Sequence, residues 1–303
     1  MISKILITGG SGFVGQNVIS LLSEQNKNIE IYNLSRTPLE IPGVKNLKCL
    51  AENFNFSDLD NLQFDYIINL LALSHDKECQ DFNLAQEINI TFTKKLLDFS
   101  LTQKQLKKMV HLSSAIIYDN LAISPVTEDS KLYYNYSNYS FTKGVSENYA
   151  NFYREKFKLP MIIFRLSNIY GPYQKIENST FLIPSKITQA IDDGKIEVFD
   201  FSPRRDWVYS EDAASAIVSS LFVDYSGILN LGSGIGASVE EIVSEIASQL
   251  GVKYYTLNKK SNGPLNFYSD ISKVSQILNW SPNTSLKDGL QKTIEYIKRS
   301  RKK

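Results

Sequence analysis

Residues 4–15 read Lys-Ile-Leu-Ile-Thr-Gly-Gly-Ser-Gly-Phe-Val-Gly. The apolar run at the start of this stretch is short enough for a buried strand, and glycines follow it directly. The stretch contains Gly9, Gly10, Gly12 and Gly15. Apolar positions from 14 to 22 then recur with the spacing of an amphipathic helix. The stretch therefore predicts a strand, a tight glycine turn and a helix in direct succession.

The glycine turn has the spacing of a dinucleotide-binding site. Gly9 allows the tight turn, Gly12 lets the backbone approach a pyrophosphate, and Gly15 lets the helix pack closely on the strand. Phe13 and Val14 open the helix, whose N–H groups and dipole favour phosphates. A glycine-rich loop without a ligand is the alternative, but the strand–turn–helix setting favours a dinucleotide site.

Composition and charge narrow the class of protein. The chain has 303 residues, with 33 Lys and Arg against 32 Asp and Glu, so its formal net charge is +1. This balance provides no global field for nucleic acid or an anionic membrane. No apolar run reaches the length of a membrane span. Cys49 and Cys79 lack the pairing of a zinc site and indicate a reducing compartment. We expect a cytoplasmic protein without metal.

Short apolar strands alternate with helical patterns in the first half of the chain, as in a parallel sheet covered on both faces. The predicted strands are 29–34, 46–50, 66–71, 108–113 and 161–166, and the clearest helices are 83–101 and 139–157. Beyond 173 we predict strands at 195–199 and 228–231, helices at 184–191 and 211–223, and helices starting at 239 and 286. The predicted fold class is α/β: a Rossmann-type doubly wound parallel sheet with a smaller C-terminal α/β substrate lobe.

The end of the second predicted strand bears on the choice of dinucleotide. An acidic side chain there commonly binds the ribose hydroxyls and repels a 2′-phosphate, but this chain has Asn33, with Ser35 and Arg36 close behind. A hydroxyl and a guanidinium are suited to a 2′-phosphate. We therefore favour NADP(H) over NAD(H). The alternative is that Arg36 is a solvated loop residue and that Asn33 binds either ribose.

Tyr139 and Lys143 are four residues apart in a helical pattern and so share one face. A nearby ammonium and an oxidised nicotinamide would lower the tyrosine pKa, which is about 10 in water. Such a tyrosine exchanges a proton while hydride moves at the adjacent carbon. Ser113 and Ser114 follow the strand at 108–113, at the sheet edge where ligands bind. They either bind the reacting oxygen or merely satisfy loop backbone groups.

Together these motifs resemble the extended short-chain dehydrogenase/reductases that modify nucleotide sugars. The resemblance covers essentially the whole chain. The matching segments are 8–15 (TGGSGFVG), 113–118 (SSAIIY), 139–143 (YSFTK), 165–172 (RLSNIYGP), 205–212 (RDWVYSED), 230–233 (NLGS) and 278–282 (LNWSP). The combination is far more specific than any one of these segments.

The resemblance implies a role for each matching residue. Tyr139 would be the acid/base, Lys143 would hold the nicotinamide ribose and tune Tyr139, and Ser114 would bind the reacting oxygen. The other implied cofactor residues are Leu71, Ala72 and Asn89.

The implied substrate contacts are Ser74, Ser114, Asn168 and Arg205. Of these, Asn168 and Arg205 would contact the diphosphate, a role that suits a planar guanidinium. The alternative for Arg205 is an intramolecular pair with Asp206 or another carboxylate.

Departures from the family pattern reduce the number of reactions that this chain can be expected to catalyse. The 4,6-dehydratases have Asp-Glu after the serine or threonine, whereas this chain has Ala115 and Ile116, which carry no proton. Fucose synthases have a cysteine where this chain has Ile116. Asp119 replaces a usual glycine, and the loop at 199–205 lacks glycines and adds Arg204 near the expected anion.

Of the reactions in this family, simple hydride transfer at C4 of a nucleotide sugar is the one that these departures leave. We favour reduction of a 4-keto-6-deoxy nucleotide sugar by NADPH. The alternatives are a C4 epimerase with retained NAD, a non-catalytic dinucleotide-sensing protein and an enzyme for an uncharged alcohol. Arg205 and Asn168 disfavour the last of these, because an uncharged substrate would leave them without an anion.

The resemblance also implies the domain organisation and a homodimer. The expected domains are a dinucleotide-binding domain, 1–172 with about 205–232, and a nucleotide-sugar-binding lobe, 173–204 with 233–303. The dimer would form through the helices at 83–101 and 139–157. We assign no function to the basic residues at 298–303, which are typical of a solvated chain end.

Overall fold

The computed structural model describes residues 2–25, 28–59, 61–177, 179–260 and 265–301. The strands are β1 (Ser3–Thr8), β2 (Ile29–Ser35), β3 (Val44–Lys48), β4 (Tyr66–Asn69), β5 (Lys108–Ser114), β6 (Met161–Leu166), β7 (Asn168–Tyr170), β8 (Lys195–Val198), β9 (Arg204–Tyr209), β10 (Gly227–Leu231), β11 (Gly236–Ser238), β12 (Lys253–Thr256) and β13 (Asn266–Phe267). The α-helices are α1 (Phe13–Gln25), α2 (Phe82–Gln86), α3 (Phe92–Thr102), α4 (Asn138–Lys156), α5 (Leu182–Asp193), α6 (Ser210–Ser219), α7 (Val239–Leu250), α8 (Ser272–Leu278) and α9 (Leu286–Ser300). A π-helical turn, Glu87–Thr91, joins α2 to α3.

A seven-stranded parallel sheet has the strand order β10-β6-β5-β4-β1-β2-β3. The chain runs outward from β1 to β3, and then returns to the other side of β1 with β4. This reversal creates a topological switch point between the carboxyl ends of β1 and β4, where open α/β sheets bind ligands. Thr8 and Asn69 are register partners at this edge. The predicted Rossmann-type sheet is confirmed.

Both faces of the large sheet are buried. Successive side chains of a strand point to opposite faces, so each strand contributes to two cores. Along β1, Ile5 and Ile7 pack in the core that includes α1 and α6, whereas Leu6 packs in the core that includes α3 and α4. The strand is therefore apolar on both sides, as expected for a parallel sheet between two helical layers.

A second apolar core lies among α5, α7 and α9, beside the paired strands β8 and β12. Ile183, Ile246 and Leu290 are fully buried in this core. A separate sheet pairs β9 with β7, β11 and β13. Tyr170 and Tyr209, which end β7 and β9, pack edge to face at 5.7 Å between ring centroids. The domain boundaries expected at 172, 204 and 232 stay a prediction.

Most of the predicted elements form within two residues of their expected ends. The strand expected at 46–50 forms at Val44–Lys48, and the π-helical turn divides the helix expected at 83–101. The helix expected at 211–223 ends at Ser219 and continues as a 3-10 turn. The basic end at Lys302 and Lys303 lies outside the described residues. Within the described ranges, no helix is long and apolar enough to cross a membrane.

Candidate active site

The glycine turn joins β1 to α1 at the switch point. Gly9 has a φ of 71°, in the left-handed region, and a Cβ there would lie 2.8 Å from the Leu71 backbone. A Cβ at Gly15 would overlap the Gly9 carbonyl oxygen, whereas a Cβ at Gly12 would meet only that oxygen, at 3.1 Å. Helix α1 begins at Phe13, so the N–H groups of its first turn lie at the switch point beside the glycine turn. These residues fit the pyrophosphate of a dinucleotide.

Asn33 and Ser35, at the end of β2, are buried and bonded to other protein groups. The Ser35 hydroxyl donates to Asn33 Oδ1 at 2.7 Å and accepts from the Ser11 N–H at 3.2 Å. Asn33 Nδ2 donates to Asn46 Oδ1 at 2.8 Å. Arg36 is exposed. Of the two groups expected to bind a 2′-phosphate, the Ser35 hydroxyl is therefore engaged within the protein and the Arg36 guanidinium is exposed, which weakens the basis for favouring NADP(H).

Tyr139, Ser114 and Lys143 come together where α4 passes the carboxyl end of β5. A capping box at Ser137 fixes the first turn of α4, which carries Tyr139. The Ser114 side chain lies close enough to Tyr139 to act on its pKa as a hydrogen-bond partner. Lys143 Nζ donates to the Leu112 carbonyl at 2.6 Å. The three residues expected to be catalytic therefore form one cluster.

Burial dominates the protonation of this cluster. Burial raises the pKa of Tyr139 to about 12, although the hydrogen bond with Ser114 acts in the opposite direction. Burial lowers the pKa of Lys143 to about 8. The Tyr139 pKa is thus shifted in the direction opposite to the one expected from a neighbouring lysine. Asp76 and Glu78 contribute, because their negative charges disfavour the phenolate.

Asn89 lies in the π-helical turn, and its amide is buried against the loop after β4. Its Oδ1 accepts from the Leu73 N–H at 2.8 Å, and its Nδ2 donates to the Leu73 carbonyl at 3.2 Å. Nδ2 also donates to Thr142 Oγ1 at 3.0 Å. Asn89 therefore ties the loop of Leu71 and Ala72 to α4, beside Lys143. A π-helical turn at such a position is common at functional sites.

Ser74 and Asn168, the expected substrate contacts, are both exposed. The N–H and hydroxyl of Ser74 donate to Glu78 Oε2 at 2.7 and 3.0 Å. Asn168 Nδ2 donates to the Asp206 carbonyl at 3.1 Å. Both side chains are accessible to a ligand, and each is oriented by one protein partner.

Arg205 is a half-buried cation on β9. Its guanidinium donates to the Arg204 carbonyl at 2.9 Å, and burial lowers the pKa of Arg205. The Asp206 carboxylate instead accepts from the N–H groups of Ser233 and Ser269, at 2.6 and 3.1 Å. The alternative of an Arg205–Asp206 pair is therefore wrong. Among the described residues, no carboxylate lies within salt-bridge distance of Arg205, so its charge is available to an anion.

Arg204 does not share this environment, contrary to the expectation from the sequence. Its guanidinium contacts Glu241 at 3.1 Å and the Gly236 carbonyl at 2.5 Å. Adjacent residues of a strand point to opposite faces, so Arg204 and Arg205 diverge.

Ser113 and Ser114 also diverge along β5. Ser113 is buried, and its hydroxyl has no hydrogen-bond partner among the described residues. Ser114 reaches Tyr139 and accepts from the Ile116 N–H at 3.3 Å. Ile116 is 39% exposed and Ala115 is buried. The position next to the reacting cluster therefore has an apolar surface and no acid or base.

Three residues that were not expected at the site contact the expected ones: Glu78, Cys79 and Thr142. Cys79 is buried, its Sγ lies 3.9 Å from Asn89 Nδ2, and its carbonyl accepts from Asn138 Nδ2 at 2.9 Å. Burial raises the pKa of Cys79 to about 11, so the thiol stays neutral. No motif marks these residues. Their proximity to the loop after β4 and to α4 becomes apparent only from the tertiary structure.

The glycine turn and the Tyr139 cluster, on opposite sides of the switch point, define a dinucleotide-dependent oxidoreductase of the short-chain type. The model of the NAD dependent epimerase/dehydratase family matches residues 5–232. The chain belongs to that family, and it is an enzyme of the NAD-dependent nucleotide-sugar epimerase/dehydratase/reductase type.

The chain is similar to proteins that are named for different reactions on nucleotide sugars. The uncharacterized UDP-glucose epimerase YtcB of Bacillus subtilis is 28% identical over 97% of this chain and 98% of its own. The dTDP-4-dehydro-6-deoxyglucose reductase of Escherichia coli is 25% identical over 97% of both chains. The structure of UDP-glucuronic acid 4-epimerase from Bacillus cereus, in complex with UDP-glucuronic acid and NAD, has a TM-score of 0.87. It is 26% identical and covers 98% of this chain and 99% of that one.

Proposed function

We propose that the chain catalyses oxidoreduction at C4 of a nucleotide-diphosphate sugar. The observation that carries the proposal is the cluster of Tyr139, Ser114 and Lys143 at the carboxyl end of β5, two strands away from β1 and its glycine turn in the same sheet. Ile116 supports the assignment to simple hydride chemistry, because elimination of water needs an acid and a base at that position. A bound nicotinamide dinucleotide would exchange hydride with the sugar carbon.

The residues of the chain provide proton transfer and orientation. Tyr139 is protonated at neutral pH, since burial raises its pKa to about 12, and it is therefore ready to donate a proton to a 4-keto oxygen. Ser114 would bind that oxygen. Lys143 would hold the nicotinamide ribose, and Asn168 and Arg205 would bind the diphosphate. The half-buried, unpaired guanidinium of Arg205 supports this last role.

We place the C4 epimerase with retained NAD before the reductase. The engagement of Ser35 within the protein leaves one fewer group for a 2′-phosphate, and the UDP-glucuronic acid 4-epimerase of Bacillus cereus was solved in complex with NAD. Reduction of a 4-keto-6-deoxy nucleotide sugar with NADPH is the second candidate. It is supported by the exposed Arg36 and by the similarity to the reductase of Escherichia coli.

Identification of the dinucleotide that copurifies with the protein would test the proposed function. Mass spectrometry of the denatured protein would identify a retained dinucleotide. UDP-glucose, UDP-glucuronic acid and a 4-keto-6-deoxy nucleotide sugar would then be supplied, with NADPH for the keto sugar. Retained NAD with inversion at C4 supports the epimerase. An empty protein that consumes NADPH on the keto sugar supports the reductase.

The binding step can be tested without turnover. A nucleotide-sugar enzyme should gain thermal stability from UDP or dTDP at saturating concentration. Stabilisation by NAD alone, with no effect of either nucleoside diphosphate and no turnover, would instead favour the non-catalytic dinucleotide-sensing protein.

Replacement of Arg36 by alanine distinguishes the two cofactor assignments. We expect the NADH affinity of Arg36→Ala to change less than about two-fold, because an exposed guanidinium contributes little without a phosphate partner. Fluorescence titration with NADH and NADPH measures both affinities, with Arg299→Ala on α9 as a control for loss of an exposed arginine. Tight NADPH binding that weakens about ten-fold in Arg36→Ala would favour the reductase, since a charge-assisted contact is then lost.

We also propose a homodimer that forms through the predicted helices at 83–101 and 139–157. Four apolar side chains lie on one face of α4 at spacings of four, four and three residues, and none of them is fully buried in the single chain. They are Phe141, Val145, Tyr149 and Phe152. Such a stripe is typical of a surface that packs on a second helix pair.

An aspartate on this stripe should separate the subunits. We expect Phe152→Asp to lower the molecular mass in solution to that of one chain, because a buried unpaired carboxylate opposes association. Light scattering coupled to size exclusion measures the mass. Lys156→Asp, an exposed change on the same helix, should leave the mass unchanged. A wild-type protein of monomer mass would contradict the proposed dimer.

A further inference from the structure

A chain of buried polar side chains crosses the large sheet beneath the candidate active site. Thr8, Asn69, His111 and Ser146 contribute to it, and each is at most 2% exposed. Thr8 Oγ1 lies 2.7 Å from Asn69 Oδ1, and Asn69 Nδ2 lies 3.1 Å from His111 Nδ1. His111 Nε2 lies 3.3 Å from Ser146 Oγ. The chain therefore links β1, β4, β5 and α4.

The partners determine the direction of each hydrogen bond. The Thr8 hydroxyl accepts from the Leu71 N–H at 3.4 Å and donates to Asn69 Oδ1, which leaves the amide Nδ2 to donate to His111 Nδ1. His111 Nδ1 must therefore accept, and the proton of the neutral ring is on Nε2. Nε2–H donates to Ser146 Oγ, whose own proton goes to the Lys143 carbonyl at 3.3 Å.

The two ends of this chain of hydrogen bonds are parts of the proposed cofactor site. At one end, Thr8 precedes Gly9 of the glycine turn and holds Leu71 of the loop after β4. At the other end, Ser146 holds the helical turn that starts at Lys143. Within this chain of hydrogen bonds, His111 on β5 joins Asn69 on β4 to Ser146 on α4.

The surroundings keep His111 neutral. Burial and the nearby Lys143 ammonium hold the pKa of His111 well below its usual range. The charged and titratable groups that act on Lys143 are Glu147 on its own helix, Cys79 on the loop after β4 and His111 on β5. A neutral imidazole therefore fixes the backbone next to Lys143 without adding a second positive charge.

We propose that His111 is a positioning residue that sets Lys143 relative to the glycine turn, and so aligns the two halves of the dinucleotide site. This inference rests on the proposed function, because it assigns Lys143 to the dinucleotide. Among the described residues, the side-chain hydrogen-bond partners of His111 are Asn69 and Ser146, and neither Tyr139 nor Ser114 is one of them. Its effect passes through Ser146 to the turn of α4.

Two readouts test the proposal. Fluorescence titration gives the NADH affinity, and competitive acetylation followed by mass spectrometry gives the titration of Lys143 without any ligand. The variants are His111→Phe, His111→Gln, which keeps one donor and one acceptor, and Ser146→Ala. Ser244→Ala on α7 is the matched control, since its hydroxyl also donates to the carbonyl three residues earlier, at 3.2 Å.

We expect His111→Phe and Ser146→Ala to weaken NADH binding about ten-fold, the equivalent of one lost buried hydrogen bond. Water that reaches the loosened turn would relieve the desolvation of Lys143, so its titration midpoint should rise by about one pH unit. His111→Gln should stay near wild type in both readouts, and Ser244→Ala should not differ from it.

Unchanged NADH affinity and unchanged Lys143 titration in Ser146→Ala and His111→Phe would overturn the proposal. If His111→Phe does not fold, Ser146→Ala and the rescue by His111→Gln decide the outcome. Failure of the proposed function looks different. Wild-type protein would then not bind NADH, while the titration of Lys143 would still report whether His111 positions it.

Discussion

Tyr139→Phe should lower turnover about a thousand-fold, within the range for loss of a positioned general acid or base. The substitution removes only the hydroxyl that interacts with Ser114, so the ring and the packing of α4 stay in place. NADH and UDP affinities should therefore change less than about three-fold, since neither the glycine turn nor Arg205 is altered. The loss should appear in kcat and not in KM.

The matched control is Tyr149→Phe, which removes from the same helix a phenol hydroxyl that is exposed in the single chain and lies on the proposed dimer surface, away from Ser114. It should retain full turnover, because Tyr149 belongs to the outer face of α4. Steady-state rates with the nucleotide sugar identified from the substrate panel, together with direct binding titrations, make the comparison. Turnover of Tyr139→Phe at the rate of wild type would remove Tyr139 from the role of acid or base.

The pH dependence follows from the Tyr139 pKa. Because burial raises this pKa to about 12, the protonated phenol predominates across the neutral range. Reduction of a keto sugar needs this form and should lose no activity through Tyr139 up to pH 9 or so. Oxidation needs the phenolate and should rise with pH over the same range. A reduction rate that falls between pH 7 and 8 because Tyr139 loses its proton would contradict this assignment.

The sheet could be predicted from the sequence because its determinants are local. The apolar period of β1, the glycines at 9, 12 and 15 and the apolar pattern of α1 each specify one step of the strand–turn–helix unit. The shared helix face of Tyr139 and Lys143 followed from helical spacing, and their assignment to the site followed from the neighbouring Ser113 and Ser114 and from the family resemblance. These features need no knowledge of distant partners.

Features that depend on distant partners could not be predicted. The amide of Asn33 is engaged by Asn46, which the register of β2 against β3 places next to it. The Tyr139 pKa depends on burial, which the helical spacing does not report. The π-helical turn around Asn89 reflects hydrogen bonds to Leu73 and Thr142, and helix propensity does not predict these contacts.

The Arg165–Glu147 pair behind the active site is another such feature. Arg165 on β6 contacts Glu147 on α4, with 2.7 Å between Nη2 and Oε1. The guanidinium also donates to the Tyr118 hydroxyl and to the Glu128 carbonyl, at 3.0 and 2.7 Å. Both side chains of the pair are at most 4% exposed. Burial opposes the charge, but the bond to Glu147 outweighs it and raises the pKa of Arg165.

Among the substitutions considered, removal of one member of the Arg165–Glu147 pair should destabilise the folded protein most. We expect Arg165→Met to lower the free energy of unfolding by about 3–5 kcal/mol, because it leaves the Glu147 carboxylate buried without its cation. Denaturant titration measures the change. Arg154→Met on α4 is the control, since Arg154 pairs with the exposed Glu155, and it should cost no more than about 1 kcal/mol.

The difference in unfolding free energy between wild type and Arg165→Met should depend on pH. This dependence distinguishes the cost of an unpaired buried charge from a simple loss of packing. An uncompensated buried carboxylate favours its neutral form, so the folded variant binds a proton more readily than the unfolded chain. The stability of Arg165→Met should therefore rise relative to wild type as the pH falls from about 7.5 to 5. A difference that stays constant over this range would assign the loss to the cavity and to the broken bonds with Tyr118 and Glu128. A difference that narrows would show that Arg165 is held in the core chiefly to neutralise Glu147, and so to hold α4 against β6 behind Lys143.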